Sequence, residues 1–96
     1  MLTAWYPNKE AKSIMKTMRS VPKMPDFIAK WQTFATPDGE RGIKVYNLIM
    51  VKEGVSDEAA IYITKNQTHF SDNVEGYVWK IEPIMGIKDS LKVLGV

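Results

Sequence analysis

A chain of 96 residues with 45% hydrophobic and 25% charged residues has the size of one domain and is too apolar for a disordered tail. Its formal net charge of +2 falls short of the basic excess that nucleic-acid-binding domains carry. Because it has no cysteine, disulfides, thiolate nucleophiles and thiolate-held metals are excluded, and residues 1–96 are expected to fold as a single domain on apolar packing alone.

Met1 leads directly into LTAWYP, with no basic segment ahead of an apolar core and no run near the ~18 apolar residues of a membrane span. A cytoplasmic protein with no membrane partner is expected. Leu2 to Tyr6 reads as a first strand, stopped by Pro7 and by Asn8 as a helix cap. From there the period changes: Ala11, Ile14, Met15, Met18 and Val21 recur at helical spacing, with Lys9, Lys12, Lys16 and Arg19 on the opposite side. That amphipathic helix should end near Ser20, ahead of Pro22. Asp26 to Ala29 are read as one further helical turn.

Lys30 to Ala35 reads as a second strand, with Trp31 and Thr33 on one side and Gln32 and Phe34 on the other. Thr36, Pro37, Asp38 and Gly39 supply turn residues and Gly42 closes the loop, so a hairpin should lead into a third strand, Ile43 to Lys52. Ser56 or Asp57 is placed to cap a second helix, on which Ala59, Ile63, Phe70 and Val74 cluster, with Tyr62, Asn66, His69 and Asn73 along one shoulder. Gly76 is placed as its C-terminal cap. In the fourth strand, Tyr77 to Glu82, the residues Tyr77, Trp79 and Ile81 share a face. Lys88 to Leu94 can form a short final helix.

This order predicts an α+β chain of ferredoxin-like βαββαβ type, with both helices on one face of a four-stranded antiparallel sheet. The third strand, IKVYNLIMV, is apolar on both alternating sets of positions. Ile43, Val45, Ile49 and Val51 are assigned to the helices, and Tyr46, Leu48 and Met50, together with Trp79, to the face without helices. One layer of helices shields one face, so the other is expected to meet a second copy of the chain.

The strand LTAWYP running into a helix, the GIKVYNLIMVKEG strand and the closing GYVWKIEPIMGIKDSLKVLGV together resemble the dimeric α/β-barrel superfamily, most of all its short prokaryotic members. The resemblance implies a homodimer in which two sheets pair face to face as a barrel. That family includes cofactor-free monooxygenases, haem-degrading enzymes, haem proteins of the chlorite-dismutase type and small isomerases, so the fold does not select a reaction. Its haem degraders resemble one another through an Asn on the first strand and a Trp and a His on the second helix. Of these, only His69 stands here.

No cofactor is evident, and haem or flavin stays open for a chain of this class. One His without Cys predicts no metal site. The candidate ligand-binding residues are Trp5, Tyr46, Asn47, Tyr62, His69 and Trp79, with His69 as the catalytic candidate because its ordinary pKa is near neutrality. Each also has a plainer role: His69 at the solvated border of a helix, Asn47 as a strand amide satisfied by neighbours, the aromatic residues as packing. An RNA-recognition role would need aromatic residues in the third-strand stretch Arg41, Gly42, Ile43, Lys44 and Val45, where both are missing, so no nucleic-acid partner is expected. The reading is a homodimer that binds a small apolar ligand between sheet and helices. The alternative is a small monooxygenase or isomerase using the same cleft.

Overall fold

The computed structural model describes residues 1–21, 23–84 and Gly95. Strand β1 (Leu2–Tyr6), helix α1 (Ala11–Ser20), strands β2 (Ile28–Pro37) and β3 (Ile43–Val51), helix α2 (Ser56–Asn73) and strand β4 (Val78–Ile81) follow in that order. All strand pairs are antiparallel and the sheet order is β2-β3-β1-β4, with β3 and β1 inside. This is the ferredoxin-like arrangement, as the alternation of periods predicts. The proposed final helix, Lys88 to Leu94, lies outside the described residues.

The registers fix which side chains share a face, since residues directly opposite in an antiparallel pair point the same way. Leu2, Ala4 and Tyr6 on β1 pair with Asn47, Val45 and Ile43 on β3. Across β3, Thr33 pairs with Asn47 and Ala35 with Val45. This set faces α1 and α2, which pack side by side. The core sits there: Leu2 and Ala4 from the sheet, Ile14 from α1, Ala59 and Ile63 from α2, and Val74 just beyond it are all buried. The opposite face carries Trp5, Phe34, Tyr46, Leu48, Met50 and Val78 by the same registers. Phe34, Met50 and Val78 there are 57%, 50% and 59% exposed.

The parity expected for β3 agrees with this arrangement; that expected for Trp79 does not. Trp79 pairs with Ala4, which puts it on the helix-covered side and leaves Val78 and Lys80 on the other. Four local expectations also change. Asp26 and Phe27 form a turn rather than a helix, and β2 starts at Ile28, because the β-branched residue pairs with Val51 at the end of the hairpin. The chain enters α1 through a 3-10 turn, Asn8–Glu10, and no side chain caps either helix N-terminus, so neither Asn8 nor Ser56 serves as a capping group. On α1 the buried positions are Ile14 and Thr17, while Met15 and Met18 stay more than half exposed. Thr17 enters the core because its hydroxyl donates to the Ser13 carbonyl at 2.7 Å, which satisfies it within the helix. Finally, α2 ends with Val74 in extended conformation, and Gly76, at φ +79°, belongs to the turn that follows.

Three turns meet at Pro7. A Cβ on Gly42, whose φ is +88°, would lie 2.3 Å from the Tyr6 carbonyl oxygen and 2.9 Å from the Pro7 Cα. A Cβ on Gly76 would lie 2.9 Å from the Pro7 ring. Two glycines from separate connections thus let the backbone of the hairpin loop and of the α2–β4 turn close against the β1–α1 turn.

Candidate functional site

Between the helix-covered face of the sheet and the two helices lies a cavity of about 390 Å³. Trp31, Thr33, Ala35, Val45 and Asn47 form its sheet wall, and Tyr6 and Tyr77 reach it from the β1 and β4 ends. Ile14, Met18, Val21 and Met24 close one side, and Tyr62, Asn66, Gln67 and Phe70 of α2 the other. Period-2 alternation on β2 and β3 places the wall residues on one face. The helical repeat does the same for Tyr62, Asn66 and Phe70.

Asn47 is the buried polar residue of the sheet wall, 6% exposed. Its Oδ1 accepts two hydrogen bonds, from Trp31 Nε1 at 3.0 Å and Thr33 Oγ1 at 2.8 Å, and its Nδ2 donates to the Leu2 carbonyl at 3.4 Å. The amide therefore joins β3 to both neighbouring strands. An indole N–H can only donate, so the atom facing Trp31 has to be the amide oxygen, which fixes the orientation of the side chain.

A second polar group runs along the α2 wall. The Tyr77 hydroxyl donates to Gln67 Oε1, and Gln67 Nε2 donates to Asn66 Oδ1 at 2.8 Å. Phe70 stacks on Tyr77 with ring centroids 5.5 Å apart. Burial pushes the Tyr77 phenol well above its ordinary pKa, with the nearby Tyr6 hydroxyl adding to the shift. The phenol stays protonated and remains a donor.

His69 lies outside this cavity, on a smaller groove of about 300 Å³ shared with Val21, Tyr62, Lys65 and Asn66. Its Nε2 is 3.0 Å from Ser20 Oγ, and Asn73 Nδ2 is 3.3 Å from its Nδ1. Asn73 Nδ2 also donates to the His69 carbonyl at 2.8 Å, so the Asn73 amide presents N–H to the ring. Nδ1 is then the acceptor and Nε2 carries the proton towards Ser20, whose hydroxyl donates onward to the Thr17 carbonyl at 2.7 Å. Through these bonds the set ties α1 to α2.

The six residues singled out from the sequence do not form one site. Asn47 and Tyr62 line the main cavity, His69 the smaller groove beside it. Trp79 is on the helix-covered side but is not among the cavity walls. Trp5 and Tyr46 lie on the opposite face, where Trp5 Nε1 donates to Asp38 Oδ2 at 2.9 Å, Arg41 and Lys44 stand over the Trp5 ring, and Lys44 also stands over Tyr46. The cations flank these rings at 4.7–5.4 Å, so both aromatics are held by local contacts.

The sequence reading missed Trp31, Thr33 and Gln67. The first two had a signal, because Thr33 and Asn47 stand equally far on either side of Glu40, the middle of the hairpin loop. Gln67 had one too, since it stands four residues after Ile63 and three before Phe70, in line with the apolar stripe of α2. Among the described residues, no cluster of His, Cys, Asp and Glu could hold a metal ion, and no helix is long and apolar enough to cross a membrane. No family model, curated protein or solved structure gives a significant match to the chain.

Proposed function

We propose that this protein is a homodimeric α/β barrel that holds a small apolar molecule between its sheet and its helices. The observation that carries the ligand part is the 390 Å³ cavity, whose size and largely aromatic and aliphatic walls with a few fixed polar groups suit a small-molecule site. The pairing part is supported by the apolar residues on the face opposite the helices. Among the described residues, those lining the cavity include no carboxylate, lysine, arginine or histidine, which favours binding over the oxygenase or isomerase alternative, whose proton transfers would have to use the tyrosines.

Titration with the neutral fluorophore N-phenyl-1-naphthylamine tests this reading, because Trp31 on the cavity wall can transfer excitation to it. Saturable binding is expected, with loss on filling the cavity by Val45→Trp and retention in Met50→Lys, whose change is on the other face. Unchanged binding in a folded Val45→Trp variant would place the fluorophore elsewhere and end the proposal.

A further inference from the structure

The polar groups of the cavity are not neutral as to what they accept. Asn47 is more than nine-tenths buried, and its Oδ1 is already engaged by Trp31 and Thr33. Its Nδ2 carries two hydrogens, and its one partner among the described residues is the Leu2 carbonyl, at the long distance of 3.4 Å. The indole N–H of Trp31 is used, and so is the Thr33 hydroxyl hydrogen. What remains at the amide is N–H. On the α2 wall the oxygens of Gln67 and Asn66 accept one hydrogen bond each, from Tyr77 and from Gln67, and each keeps a second lone pair. At Asn47, then, the capacity left over is for donating, in a cavity whose described walls bear no charged side chain.

From this inventory of donors and acceptors we infer that the ligand is an uncharged apolar molecule carrying a carbonyl oxygen, such as an aryl ketone or aldehyde, with that oxygen directed to the Asn47 amide. This rests on the reading of the cavity as a small-molecule site and adds the chemical class. A hydroxyl used only as a donor finds no free acceptor at the Asn47 oxygen, and a carboxylate brings a charge for which the described walls hold no counter-ion. A hydrocarbon leaves the N–H unused.

Competition against N-phenyl-1-naphthylamine with 2-acetylnaphthalene, 2-ethylnaphthalene and 2-naphthoate tests the assignment, since the first two differ by little more than the carbonyl oxygen. One neutral hydrogen bond predicts about a five- to tenfold preference for the acetyl compound. The sign is informative, because a cavity offering no donor favours the ethyl compound. Asn47→Leu should abolish the preference. Should that variant fail to fold, the ketone stretching band of 2-acetylnaphthalene bound to the unaltered protein serves instead, and should move to lower frequency than in hydrocarbon solvent. Equal or tighter binding of 2-ethylnaphthalene, or tighter binding of 2-naphthoate, would overturn the carbonyl assignment and leave the cavity reading intact. If none of the three displaces a fluorophore that does bind, the assignment fails; if the fluorophore itself does not bind, both readings fail.

Discussion

At the scale of single residues, the site is set by polar atoms that settle their own hydrogen bonds before any ligand arrives. Asn47 shows how far this can be read from a sequence. An amide in the middle of IKVYNLIMV has to find partners or cost roughly 1–3 kcal/mol, so its being satisfied was legible. Which of its atoms stayed available was not, because that depends on a tryptophan across the hairpin. Tyr77 carries a prediction at the same scale. Its folded-state pKa lies above the ordinary 10.0, chiefly through burial, so the unfolded chain loses the phenolic proton first as pH rises. Stability from this group is whole below pH 10 and declines above it. Urea titrations across that range should show a steeper alkaline loss in the natural protein than in Tyr77→Phe. Identical slopes would mean that the phenol is not sheltered.

At the scale of elements, the sequence was most legible where one period ruled. The strands and helices emerge in the order that alternation and helical repeat predict, and β3 lies inside the sheet, as its two apolar faces require. Element ends were less legible. Asn8 and Ser56 are good capping residues by type, yet each stands one position inside its helical segment, after Pro7 and Val55, and neither side chain caps it. On α1, the pattern could not say that Thr17 would go inside while Met15 stayed out, since a threonine that bonds its own helix no longer counts as polar. The hairpin loop offers a test at this scale. Gly42→Ala combines a positive φ with a Cβ placed against the Tyr6 carbonyl, and should cost about 1–3 kcal/mol in equilibrium unfolding. A change within a few tenths of that in an exposed-site control such as Gly54→Ala, which has a positive φ and open space, would show that the close approach adds nothing.

At the scale of the whole molecule, pairing through the face that IKVYNLIMV helps to build is a matter of area. Phe34, Met50 and Val78 lie at least half exposed on one face, and withdrawing them from water at about 25 cal/mol per Å² favours a partner. Analytical ultracentrifugation should find a dimer that Met50→Lys dissociates, with the fold retained by circular dichroism. A well-behaved single subunit at high concentration would remove the barrel from the proposal while leaving the cavity, which one subunit builds by itself. Gross architecture was legible because hydrophobic burial is written in every residue. A cleft between sheet and helices was expected on the same ground, but not most of its walls, because an unfilled space is bounded by side chains that fail to meet.

The crowding of turns about Pro7 bolts one end of the domain: where Gly42 and Gly76 lie against that proline, the hairpin loop and the α2–β4 turn leave no room for a side chain. In Gly42→Ala, hydrogen exchange should therefore quicken first at that bolted end.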